Sequence, residues 1–191
     1  MKFISLKKMA IMLAMFVLIT NCKDEEQKGI SEYAGDYAIT NAELAEALTV
    51  PTNEQGNFAI PVGTDITELI KEALLSAVSC SDPDTSWVEL REDYSMYLSC
   101  EGANPLNAGT WEEVSATSIK LNLNNAAVPS APSGVALTVT NLVVDGNTLT
   151  GATNVPLPKA MISSMISPLT LTTSAPIIFN VKFTIEFIGI E

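Results

Sequence analysis

The chain contains no histidine, only 3 cysteines, and only 10 lysines and arginines against 22 acidic residues. Without histidine there is no Ser-His or Cys-His catalytic unit, and the commonest general base is missing. Three cysteines and no histidine do not make up a four-ligand zinc site. The formal charge of −12 works against a nucleic acid or an anionic lipid headgroup as partner. Long apolar runs are also missing. The most hydrophobic stretch, MAIMLAMFVLI from Met9 to Ile19, falls short of the roughly 20 residues that a membrane-spanning helix needs.

That short run has a distinct context. Lys2, Lys7 and Lys8 precede it, Thr20 and Asn21 end it, and Cys22 opens the acidic stretch CKDEEQK. A positive segment, an apolar run of this length and a break describe a secretory signal peptide, so residues 1–21 are set apart from the fold. Ile19, Thr20, Asn21 and Cys22 fill the four places of the lipobox, and the stretch resembles the signal of bacterial lipoproteins, including the relaxed forms of spirochaetes and Bacteroidetes. The resemblance implies an acylated Cys22 as first residue of the mature chain, anchored in the outer membrane. KDEE, Lys23 to Glu26, is similar to the acidic tags that send some Bacteroidetes lipoproteins to the cell surface. The alternatives are a secretory peptide with an incidental Cys22 and an uncleaved anchor.

If Cys22 carries lipid, Cys80 and Cys100 remain as an even pair in an oxidising compartment, and the expectation is a disulfide between them. Two free thiols are the alternative. Removing the three lysines of residues 1–21 takes the formal charge from −12 to −15, and 19 of the 22 acids lie between Asp24 and Glu113. Residues 22–31 read as a charged, disordered tether and residues 32–191 as a single β-rich domain.

Within that domain, YAGDYAIT reads as a first strand and NAELAEALTV as a short helix capped by Asn41. Asp65 and Glu68 form a capping-box pattern ahead of a second helix, whose Ile66, Leu69, Ile70, Ala73, Leu74 and Ala77 share one face. From Ser86 the pattern turns to strands. SWVEL and YSMYLSC flank a RED turn, GTWEEVS and SIKLNLN follow, and GVALTVTNLVV and NTLTGATNV flank Asp145-Gly146, a hairpin signal. A change of apolar phase between Val139 and Leu142 places a bulge near Asn141. Pro158 begins a helical turn, and Phe179 to Phe187 alternates apolar and polar residues throughout. The fold expected is mainly β. About eight antiparallel strands form a meander barrel or a sandwich, with one or two helices between strands one and two.

GDY, Gly35 to Tyr37, and GTW, Gly109 to Trp111, resemble the Gly-x-Trp of lipocalins, and helices between strands one and two are similar to the lid of intracellular fatty-acid-binding proteins. These likenesses concern architecture alone. No residue set points to a cofactor or a reaction. Glu112–Glu113 and Glu92–Asp93 read as solvated charges, Asp82 and Asp84 as parts of a Pro-containing turn rather than a calcium site, and Met161 and Met165 as an apolar face rather than a copper site. Two readings compete. In the first, a surface-exposed, non-enzymatic lipoprotein contacts a host or envelope macromolecule through the helix, the SDPDTSW turn and the loop Asn124–Gly134, with Trp87 as the candidate contact residue. In the second, a lipocalin-like barrel holds a small apolar ligand. An inhibitor or purely structural role is a third possibility.

Overall fold

In a computed structural model, residues 31–188 are described, apart from 54–55, 76, 79, 129–130, 168 and 174. The expected signal peptide, Cys22 and the expected tether through residue 30 lie outside the described residues. The chain divides into two units, Met1–Glu32 and Tyr33–Glu191, and the second holds the domain.

Eight strands close into an antiparallel barrel. They are β1 (Gly35–Leu44), β4 (Ser86–Leu90), β5 (Ser95–Cys100), β6 (Leu106–Ser115), β7 (Ser118–Leu123), β8 (Val135–Asp145), β9 (Thr148–Leu157) and β10 (Ile177–Phe187). Each pairs with its neighbour in the chain, and β10 returns to β1, so the meander leaves no free edge. Between β1 and β4 lie a separate hairpin, β2 (Leu48–Thr52) and β3 (Gly56–Ile60), and the helix α1 (Thr67–Leu75). A second helix, α2 (Lys159–Met165), joins β9 to β10. The barrel expectation holds and the sandwich does not.

Alternation sets the register. Ile119, Leu121 and Leu123 of β7 face Val139, Leu137 and Val135 of β8, while Lys120 and Asn122 face Thr138 and Ala136 on the other side. Val181, Phe183 and Ile185 of β10 oppose Thr153, Gly151 and Leu149 of β9. Apolar residues therefore point inward and polar ones outward, the reverse of a barrel that spans a bilayer with an apolar outer band. Among the described residues no helix is long and apolar enough to cross a membrane.

Two irregularities keep this phase. The β8–β9 register shifts between Thr140 and Val143, with Asn141 at φ 55°, where the change of apolar phase placed a bulge. At the β5–β6 shift Gly109 has φ 137°, and a Cβ there would lie 2.0 Å from the Asn122 carbonyl oxygen, so only glycine fits.

One expected helix is corrected. Residues 41–50 continue β1 as far as Leu44 and then enter β2. Asn41, Ala42, Glu43 and Leu44 pair with Thr184, Phe183, Lys182 and Val181. A long partner strand supplies a ladder for this segment, and Ala42 and Leu44 gain complete burial on the inner face. That tertiary gain outweighs helix propensity. Among the described residues one α-helix, with the additional hairpin and a short 3-10 turn at Pro83–Thr85, therefore lies between strands one and two of the barrel. Asp65 does cap α1, its Oδ1 accepting from the Thr67 amide at 2.9 Å and the Thr67 hydroxyl at 2.7 Å.

The strand order places the short turns of β4–β5, β6–β7 and β8–β9 at one end and the longer connections at the other. At the turn end, Tyr33 is buried and donates to the Ala116 carbonyl. Trp111 is also buried there, its Nε1 donating to the Arg91 carbonyl at 3.0 Å and its ring against Tyr94. These aromatics close that end. The core divides into two clusters, one filling this half of the barrel and one beneath the hairpin and helices, with Leu74 and Phe183 packed against both.

Candidate functional site: an apolar chamber under a helix

Between the two clusters the barrel is not full. A cavity of about 110 Å³ runs along its interior, walled by inward residues of β1, β4, β5, β7, β8, β9 and β10 and roofed by Ile70, Ala73 and Leu74 of α1. Ile39, Val88, Leu121, Val155, Phe183 and Ile185 point inward yet are only partly buried. Their residual exposure faces this space.

Among the described residues only two polar side chains border it, and both hydroxyls donate elsewhere. The Thr153 hydroxyl donates to the Thr138 carbonyl at 3.0 Å, and the Tyr37 hydroxyl donates to the Tyr33 carbonyl at 3.2 Å. No charged residue lines the chamber. For scale, an apolar cavity of about 150 Å³ stays dry and takes up benzene. The chamber can thus hold a small apolar group by exclusion from water, with no free hydroxyl donor from Tyr37 or Thr153 to orient it.

The roof is fixed at both ends. At its start, the Ile66 amide donates to the Ala42 carbonyl at 2.8 Å, and Thr67 Oγ1 accepts from the Ala42 amide at 2.8 Å. Midway, Lys71 Nζ bonds Asp84 Oδ1 at 2.7 Å and lies 3.3 Å from Glu68 Oε1. The hydrogen bond that Lys71 donates to Asp84 holds its ammonium above the ordinary pKa. Beyond its end, Cys80 and Cys100 are at disulfide distance, with Sγ atoms 2.27 Å and Cα atoms 5.8 Å apart. The two cysteines expected to pair thus lie side by side, between the segment after α1 and the end of β5.

Trp87 is placed elsewhere. Its neighbours Val88 and Leu90 face the chamber, so Trp87 stands on the outer wall, half-buried, with Nε1 3.3 Å from Glu89 Oε1. Glu89 itself is buried on that outer wall. Ser99 Oγ donates to it, and Arg91 donates through Nε at 3.0 Å and Nη2 at 2.6 Å. The Arg91 guanidinium covers the Tyr97 ring at 3.7 Å. Burial pushes the Glu89 carboxyl up, but the donors from Ser99, Arg91 and Trp87 together outweigh it and hold the pKa below its ordinary value. Asp36, opposite Glu89 on β1, is pushed up by burial and then by the Glu89 charge.

This carboxylate pair escaped the sequence reading because only the β1–β4 register brings it together. Neither member lines the chamber. The adjacent acids behave as solvated charges: Glu112 meets Lys120 at 3.0 Å and Asp93 accepts from Ser95. Asp82 caps the turn Pro83–Thr85 by accepting from the Asp84 amide at 3.0 Å. Met161 and Met165 pack beside buried Ile162 and Ile166. No protein-family model matches the chain, and no curated protein matches it in sequence.

Proposed function

We propose that this domain binds a small apolar ligand inside its barrel without transforming it, at the envelope of a bacterium where acyl chains on Cys22 hold it to the outer membrane, facing the cell surface. The chamber under α1 carries the binding reading: its lining is apolar apart from two hydroxyls that donate elsewhere and holds no charged side chain, which suits capture by desolvation better than acid–base chemistry. The order of lysines, apolar run and Cys22 supports the anchoring. Three acyl chains would exceed the two signals that stable anchoring requires.

The test uses the full chain carrying Cys22→Ser, so that its own acyl chains are absent. Titration with the linear fluorescent polyene deca-2,4,6,8-tetraen-1-ol should give saturable fluorescence with one site per chain. No saturable uptake by the folded protein refutes the binding reading. Metabolic labelling with a fatty-acid analogue tests the anchor separately, and labelling that survives Cys22→Ser refutes it.

The second reading, contact with a host or envelope macromolecule, is favoured by one observation. Trp87 is a partly exposed aromatic on the outer wall, beside the turn that Lys71 ties to α1. Trp87→Ala should leave uptake of the apolar probe unchanged, which separates an outer surface from the chamber.

A further inference from the structure

A second cavity of about 100 Å³ adjoins the first. Ala73, Leu74, Leu123, Leu137 and Val155 line both, so these five residues form the partition between an inner and an outer chamber. The outer chamber continues past Ala127 and Val128 of the loop 124–134 to Pro156, Pro158 and Met161 at the start of α2. Pro158 is exposed, so this path leads to the surface at the end of the barrel that carries the long connections. Three of the partition residues stand on barrel strands, fixed by the β7–β8 and β9–β10 ladders. Leu74 stands on the roof. It is only partly buried and packs against both core clusters. Rotation of one leucine side chain joins the chambers, whereas moving a strand would break hydrogen bonds all along the wall.

Resting on the binding reading above, we propose that the two chambers form one gated tunnel for an uncharged, unbranched alkyl chain, admitted between α1 and the pair Ala127 and Val128, with Leu74 as the gate. Three observations select this ligand class. Each chamber alone is smaller than the roughly 150 Å³ that accepts benzene, so a compact molecule is poorly served while a thin one extends through both. No charged side chain lines either chamber, and a carboxylate buried without a partner is strongly disfavoured. The nearest lysine in the chain, Lys159, gives its ammonium to the Leu171 carbonyl at 2.7 Å, and the chain's net charge of −12 repels anions further.

The experiment displaces the linear fluorescent polyene deca-2,4,6,8-tetraen-1-ol from the full-length Cys22→Ser chain with 1-decanol, decanoate at pH 8 and 1-adamantanol. It then follows decanol exchange by stopped flow in Leu74→Ala and Val128→Trp variants. Decanol should compete at least tenfold better than decanoate and than the compact adamantanol. Leu74→Ala, which opens the partition, should speed association and dissociation about tenfold. Val128→Trp, which narrows only the outer chamber, should slow both. Circular dichroism identifies a variant that fails to fold, and the other then carries the kinetic result.

Equal competition by decanoate overturns the uncharged class, and equal competition by adamantanol overturns the elongated shape. Wild-type exchange rates in the folded variants overturn the gate while leaving ligand binding intact. Absence of any probe uptake by the parent chain removes the binding reading and the tunnel with it.

Discussion

Filling the inner chamber should strengthen the fold and abolish uptake together. Ala73 borders both chambers from α1, and Ala73→Leu places three added carbons toward the space. Two routes give the magnitude. An unfilled cavity costs about 24 cal/mol per Å³, so 110 Å³ corresponds to about 2.6 kcal/mol. Burying three more carbons at about 0.8 kcal/mol each gives about 2.4 kcal/mol. Leucine is nearly as good a helix former as alanine, so α1 itself loses little.

The expected gain is therefore about 2 kcal/mol, or roughly 4–8 °C in Tm for a domain of this size. Thermal unfolding followed by circular dichroism measures it, and titration of the same sample with the linear tetraenol measures uptake. The signature is opposite signs: stability rises while probe binding disappears. A well-packed site would behave the other way, because overpacking costs about 1–3 kcal/mol. A lower Tm with binding retained would therefore refute the existence of usable space beneath Ala73.

Cys100→Ser should lower stability by about 3 kcal/mol, the chain-entropy value for a loop of this size, and two free thiols titrated in the unfolded, unreduced protein would exclude the bridge. Glu89→Gln should cost about 2 kcal/mol in urea unfolding at pH 7, since it removes charge-assisted bonds from Arg91 and unsettles buried Ser99. The folded Glu89 carboxyl titrates below its ordinary 4.5, so its contribution is whole above that pH and drains away as pH falls through the depressed folded value. In Glu89→Gln that part of the acid-side loss should vanish, and an unchanged pH profile would contradict the assignment. Gly109→Ala should prevent folding or cost more than about 3 kcal/mol, because the added methyl meets the Asn122 carbonyl on a rigid strand, and near-native unfolding would show that the strand yields.

Much of the barrel was legible because it rests on local alternation. Phe179 to Phe187 and Ile119 to Leu123 show a period of two, and the phase slip between Val139 and Leu142 betrayed the bulge at Asn141. The segment from Asn41 to Val50 misled because its Ala, Leu and Glu residues favour helix and the strand that pairs with Asn41–Leu44 begins more than a hundred residues later. The pairing of Asp36 with Glu89 depends on the same kind of distant register. The chamber was illegible for a different reason. Sequence tells which side chains point inward, but a void is the difference between their summed volume and the space that the barrel encloses. Gly151 gives a partial clue, since a Cβ there would lie 3.0 Å from Leu142, Phe183 and Val139, whose side chains occupy its place on the inner wall.

The way α1 is held decides how a ligand reaches that space. A lid that lifts as a body would have to release the Ala42 bonds at its start, the Lys71–Asp84 pair midway and the Cys80–Cys100 link beyond its end. The lysine pair is partly exposed and contributes little, about 0–1 kcal/mol. The buried Ala42 bonds each add about 1 kcal/mol net, and the bridge keeps the helix from swinging away from β5 even when those bonds break. A leucine rotation needs none of this. It is a side-chain motion of the picosecond-to-nanosecond range where the surroundings leave room, and the chambers on either side of Leu74 supply that room. The same tethers that make α1 a poor moving lid therefore make it a good fixed frame, in which one side chain controls passage while the barrel wall stays intact.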